Sequence, residues 1–204
     1  MVTIIDYNTG NLGSIRNLIG KLGFDATISN DLDAIRNASK LILPGVGHFD
    51  YGMMKLRELG LIEVLSKKVV EEKTPILGIC LGVQLFTRGS DEGKEPGLGW
   101  INAWTKAFDR SRINGLKIPH MGWSDLRINS GSKLFSGFTE IPRFYFVHSY
   151  HLQCENSADE LAYCSHGYDF TAALEHDNIV GVQFHPEKSH RFGLHIMRNF
   201  INHY

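Results

Sequence analysis

The stretch Pro75-Ile76-Leu77-Gly78-Ile79-Cys80-Leu81-Gly82-Val83-Gln84 decides the fold. An apolar run of strand character ends in a Gly-x-Cys-x-Gly turn, and helix-compatible sequence follows at once. A sharp strand-to-helix turn leaves no room for side chains at Gly78 and Gly82, which makes this the cysteine form of the nucleophile elbow. A thiol in such a turn stands at a helix N-terminus, whose positive end favours the thiolate. The plainer reading is an inert cysteine that ends a core strand. Glycines on both sides speak for the nucleophile.

Working outward from the elbow, the first half alternates strand and helix signals. Val2–Tyr7 is an apolar run stopped by the turn-rich Asn8-Thr9-Gly10-Asn11. Leu12, Ile15, Leu18, Ile19 and Leu22 recur at helical spacing, with Gly23 suited to the residue after the helix. Ala26–Ser29 reads as a second strand and Asp31–Ala38 as a short helix capped by Asn30. Lys40–Leu43 is a third strand, broken by Pro44-Gly45-Val46-Gly47. A long helical region covers Tyr51 to Glu72, interrupted near Gly60, and Ile76–Ile79 is strand four. This alternation predicts an α/β fold with a mostly parallel central sheet flanked by helices.

The second half differs. A Gly- and charge-rich loop, Ser90–Gly99, precedes strand-like runs at Trp100–Phe108, Trp123–Ile128, Phe144–Leu152, Leu161–Ser165, Thr171–Glu175 and Ile179–Phe184. Asp177-Asn178 is a turn signal between the last two. Ser132–Ser136 has the makings of a short helical turn, and Phe192 to Ile201 closes the chain as a helix. These runs predict an antiparallel extension in the C-terminal half, with residues 1–204 forming one domain.

The totals bound the function. A chain of 204 residues with 43% hydrophobic and 21% charged residues suits one soluble globular domain. A formal net charge of −1 gives no electrostatic case for nucleic acid or anionic membrane. Cys80, Cys154 and Cys164 make no paired framework, so a reducing compartment is expected. The N-terminal residues lack a signal-peptide pattern and no stretch has the length of a membrane span, so a cytoplasmic location is expected.

A thiolate nucleophile needs a base, and His185 is the best placed of ten histidines. It ends the apolar run Val180-Gly181-Val182-Gln183-Phe184 and opens His185-Pro186-Glu187. Residues two apart in an extended segment point to one side, so Glu187 is positioned to orient the imidazole as the third member of a triad. Read alone, the tripeptide favours a strand-ending turn with a solvated carboxylate; beside a cysteine elbow the balance reverses. Pro44-Gly45-Val46-Gly47 closes strand three, and doubly wound sheets bind ligands outside the carboxyl ends of their strands. Its glycines free backbone N–H groups to face a developing oxyanion, with the N–H of Leu81 as second donor.

These pieces, in this order, resemble the class I (triad type) glutamine amidotransferases, whose fold is flavodoxin-like, and the resemblance covers essentially the whole chain. Asp6-Tyr7-Asn8-Thr9-Gly10-Asn11, Pro44–Phe49, Pro119-His120-Met121-Gly122-Trp123, Phe146-Val147-His148-Ser149-Tyr150 and Phe184–Ser189 look like one branch. That branch comprises the glutaminase subunits of imidazole glycerol phosphate synthase. The resemblance implies a Cys80-His185-Glu187 triad that converts glutamine, the small-molecule substrate, to glutamate and ammonia, with no cofactor and no metal. It implies Gly47 and Leu81 around the oxyanion, and Gln84, Glu92, Ser149 and Tyr150 around the substrate. It further implies a heterodimer with a (β/α)8-barrel cyclase subunit that receives the ammonia in histidine biosynthesis, with Asn11, Trp123 and Lys188 at the interface. Family glutaminases are slow until the partner is loaded, which implies an oxyanion donor misaligned at rest.

The chain departs from that branch at His190-Arg191-Phe192-Gly193, where glutamine is expected after Ser189. This segment lies towards the implied partner face and leaves a second pathway open, in which a related pair supplies ammonia for amidating a surface sugar. His185, His190 and His195 match no usual metal-ligand spacing. Two other classes compete: a stand-alone cysteine hydrolase, which does not carry this elbow together with a late His-Pro-Glu, and a non-catalytic binding subunit, against which an intact triad argues.

Overall fold

Val2–Ile5 (β1), Lys40–Gly45 (β3) and Ile76–Cys80 (β4) are almost uniformly apolar and buried, as strands covered on both faces must be. The computed structural model describes residues 1–204 except Asn114 and Ser130. β1 pairs in parallel with Ala26–Ser29 (β2) on one side and with β3 on the other, and β3 pairs in parallel with β4. The last strand, Ile179–Val182 (β12), lies parallel on the far side of β4. Beyond it the sheet turns antiparallel through Asp169–His176 (β11), Glu160–Ser165 (β10) and Arg127–Ile128 (β7). Ala103–Ala107 (β5) and Tyr150–Cys154 (β9) join this extension through β11. The fold is therefore mixed α/β: the parallel part is built from the first four strands and the last one, with the antiparallel strands between them in sequence.

Alternate residues of one strand serve opposite faces. Ile4, Ile42, Leu77 and Ile79 pack into one core cluster with Ile15, Phe144, Phe184 and Phe200, whereas Ile5, Leu41, Leu43 and Ile76 pack into the other with Phe49, Val83 and Leu85. Leu12–Lys21 (α1) buries Ile15, Leu18 and Ile19, and Gly23 takes up φ 82° directly after it. Leu32–Arg36 (α2) is capped by Asp31, whose carboxylate accepts from the Ala34 N–H at 2.7 Å, rather than by Asn30 as expected. The charged oxygen reaches the free N–H groups of the first turn.

The long helical region divides into Phe49–Glu58 (α3), Leu61–Ser66 (α4) and a π-type turn over Lys67–Glu71, with Gly60 left-handed at φ 65° between the first two. Leu81–Leu85 (α5) follows the elbow, and His190–His203 (α6) closes the chain. Two expectations need correction. Phe144–Leu152 is not one strand: Arg143–His148 (β8) pairs with His120–Asp125 (β6) in a separate two-stranded ribbon, whereas β9 belongs to the main sheet. The chain changes sheets at Ser149. Trp123–Ile128 is likewise divided, between β6 of the ribbon and β7 of the main sheet, whereas Ser132–Ser136 makes the expected turn, the Ser136 N–H donating to the Lys133 carbonyl at 3.2 Å. Among the described residues no helix is long and apolar enough to cross a membrane.

Candidate active site

Parallel register gathers three loops at one edge of the sheet. Gly45 lies level with Cys80, and Val182 lies level with Ile79. Cys80 therefore ends the middle strand of three, with the Pro44–Gly47 loop on one side and the Gln183–Glu187 segment on the other. This is the carboxyl edge, where doubly wound sheets hold their ligands.

Cys80 sits at φ 53°, ψ −110°, a conformation that L residues rarely adopt. The flanking glycines make it possible. A Cβ on Gly78 would fall 2.7 Å from the Val83 backbone, and one on Gly82 would fall 1.7 Å from the Leu43 carbonyl oxygen. The elbow thus presses against β3 with no atom to spare. α5 behind it has only five residues, so its dipole is short and its first N–H groups supply most of the local positive field.

His185 approaches from β12. Its Nδ1 stands 2.8 Å from Glu187 Oε1, and the two side chains are 2% and 3% exposed. A carboxylate there fixes the proton on Nδ1 and leaves Nε2 for Cys80. Burial alone would drive the imidazolium towards neutrality, but the nearby Cys80 sulfur and the Glu187 carboxylate outweigh it and raise His185 to about 10. Nε2 makes no well-aligned hydrogen bond. The sulfur is a close neighbour rather than a bonded partner, as is common for a nucleophile and its base at rest. Such an arrangement equips a sulfur to attack a carbonyl carbon and an imidazole to move the proton to the leaving group.

Cys80 is 6% exposed and opens into a cleft of about 350 Å³. Gly47, Leu81, Gln84, Glu92, Ser149 and Tyr150 line the same cleft. Gly47 stands at φ 107°, a backbone state that suits glycine. Glu92 accepts from the Phe49 N–H at 2.7 Å, tying the cleft wall to the start of α3. Burial, with the carboxylates of Glu92 and Asp91 adding, holds the Tyr150 phenol above its usual range. The Gln84 carboxamide donates to the Tyr150 carbonyl at 3.3 Å and to Gln183 Oε1 at 3.0 Å.

The residues expected at a partner face lie outside the cleft. Trp123 is 40% exposed and stacks on His190 at 5.3 Å with the ring planes nearly parallel. Lys188 Nζ sits 5.3 Å from the Tyr145 ring, which also meets Trp123 edge-on. Asn11 is exposed at the N-terminus of α1, which packs against the 186–188 turn.

Two groups at the site escaped the sequence reading. Gln183 is fully buried and its Nε2 lies 3.7 Å from Cys80 Sγ. Its signal was available: a polar residue inside an apolar run, two positions before His185 and so on the same side of the strand. His148 lines the cleft and contacts the Tyr150 carbonyl at 2.7 Å. Among the described residues no cluster of three His, Cys, Asp or Glu side chains could hold a metal ion.

The same architecture occurs in solved structures. A glutamine amidotransferase crystal structure superposes with a TM-score of 0.77 at 18% identity, covering 98% of this chain and 97% of that one. PurLQS from Thermotoga maritima gives 0.75 at 19% identity, with the same coverage. Sequence likeness is closer. Imidazole glycerol phosphate synthase subunit HisH 2 of Methanococcus maripaludis is 56% identical, and the protein of that name from Pseudomonas aeruginosa 45%, each match covering 98% of both chains. The model of the family Glutamine amidotransferase class-I matches residues 3–204. With a cysteine elbow at the carboxyl edge of a parallel sheet and that match over nearly its whole length, the chain belongs to the class-I glutamine amidotransferases.

Proposed function

We propose that this chain, as one domain over residues 1–204, is the cytoplasmic glutaminase subunit of an imidazole glycerol phosphate synthase. Glutamine enters the cleft, and Cys80 Sγ, whose proton already rests on His185, attacks its side-chain amide carbon. The C–N bond breaks as His185 returns that proton to the leaving nitrogen, giving ammonia and a γ-glutamyl thioester. Water, activated by the neutral His185, then displaces the sulfur and releases glutamate. Glu187 orients His185 and supports its positive charge. Backbone N–H groups of Gly47 and Leu81 receive the oxyanion, and Gln84, Glu92, Ser149 and Tyr150 hold the substrate.

The observation that carries this reading is the buried His185–Glu187 pair beside the Cys80 elbow. The names of these relatives support histidine biosynthesis over amidation of a surface sugar. A cyclase subunit of (β/α)8-barrel fold, bound as a heterodimer through Asn11, Trp123 and Lys188, receives the ammonia. Mixing the chain with that partner and its ribonucleotide substrate is expected to raise glutamate release well above the level of the chain alone. Cys80→Ala is expected to abolish glutamine-dependent turnover while free ammonia still supports the partner. Undiminished glutamine turnover in Cys80→Ala overturns the mechanism.

A further inference from the structure

A polar chain crosses the molecule from the β6–β8 ribbon to the sulfur of Cys80, and its direction is fixed by groups that can only accept. The Tyr150 carbonyl accepts from His148 Nδ1 at 2.7 Å, so the proton of that ring is on Nδ1. Burial, partly countered by this bond, keeps His148 well below its ordinary range, so the ring is neutral and its Nε2 is a bare acceptor. His120 Nδ1, 3.0 Å away, must then be the donor, and its Nε2 accepts from the Ser124 hydroxyl at 2.9 Å. On the other side of Tyr150 the same logic holds. A carbonyl oxygen accepts, so Gln84 turns its NH2 group towards it; that NH2 group also meets Gln183, which must offer Oε1. The remaining end of the Gln183 carboxamide is its NH2 group, and it lies 3.7 Å from Cys80 Sγ.

We propose that Gln183 is a further catalytic residue of this site, donating an N–H to Cys80 Sγ so as to favour the thiolate, and that Gln84, His148, His120 and Ser124 are positioning residues that hold its amide in the donating orientation. The inference rests on the glutaminase reading in taking Cys80 as the nucleophile. β12 lies in register beside β4, with Val182 level with Ile79, so the residue after Val182 meets the residue after Ile79. Gln183 and His185 are two apart and reach Cys80 from one side. A sulfur that is almost wholly buried has little water to stabilise its negative charge, and a fixed N–H supplies what water would. The chain also assigns Gln84: its NH2 group is engaged inwards, which leaves Oε1 to meet a ligand in the cleft.

The test is the pH dependence of Cys80 alkylation by iodoacetamide on the full chain. It is read by mass spectrometry on the Cys80 peptide, so that Cys154 and Cys164 do not contribute. Gln183→Met is expected to slow alkylation about fivefold at pH 7, the worth of one net hydrogen bond, with the wild-type rate recovered at high pH. Because Gln183 is buried, Ser124→Ala at the half-buried far end of the chain is the second variant. It removes the donor that selects the His120 tautomer and is expected to shift the profile the same way, by about twofold. A profile coincident with wild type in either folded variant overturns the proposal, as does a loss of rate that is equal at every pH. Alkylation needs neither glutamine nor a partner. A displaced profile in a chain without glutaminase activity would therefore sink the functional reading alone, and an undisplaced one in an active chain would sink this inference alone.

Discussion

Cys80, the proposed nucleophile, is also where the backbone is strained. Non-glycine residues in left-handed or neighbouring regions cost about 1–3 kcal/mol each, and the surrounding packing must hold them there. Gly82 against Leu43, Gly78 against Val83 and Phe86, and Gly45 beside the buried Tyr7 hydroxyl make that packing rigid. Both Cys80→Ala and Cys80→Gly lose the thiol, but only glycine relaxes the backbone. Cys80→Gly is expected to be more stable than Cys80→Ala by about 1 kcal/mol in chemical denaturation, the reverse of the usual order within secondary structure. The elbow, the histidine and the carboxylate were legible in the sequence because each is a short local pattern with a chemical reason. Gln183 was less so. Its role depends on standing level with a cysteine 103 positions away, and only the β4–β12 register shows that.

At the scale of elements, the β6–β8 ribbon carries the histidine pair that ends at the cleft wall. Burial, with the neighbouring His166 adding, lowers His120 from 6.5 to about 4, and burial lowers His148 in the same direction. Between those two values the unfolded chain binds a proton at His120 that the folded chain refuses. Stability is therefore fully present above about pH 6.5 and falls as pH drops towards 4. The loss through His120 is expected to be about 2 kcal/mol after allowing for partial solvent screening. Melting temperatures recorded across this window should show a shallower slope in His120→Phe than in wild type. The ribbon itself was invisible in the sequence. Strand-compatible residues run on through Arg143–Cys154, and nothing local marks Ser149 as the point where the chain leaves one sheet for another. The break at Gly60, by contrast, was readable because glycine is the residue that a left-handed joint favours.

For the whole molecule, the β-α-β alternation conveyed the parallel half, but not the insertion of the last strand beside β4. Strand order is set by burial of both faces at once, which no window of sequence contains. The exposed Trp123, stacked on His190 and meeting Tyr145, is the aromatic anchor of the proposed partner face. Trp123→Ala is expected to weaken partner binding at least about tenfold by calorimetric titration, while iodoacetamide still reaches Cys80 at the wild-type rate. The position of β12 has one more consequence. It fills the gap between β4 and β11, and it also brings Gln183, His185 and Glu187. Without this strand the sheet would hold an open groove, and the proposed nucleophile would lack both its proton acceptor and its charge support.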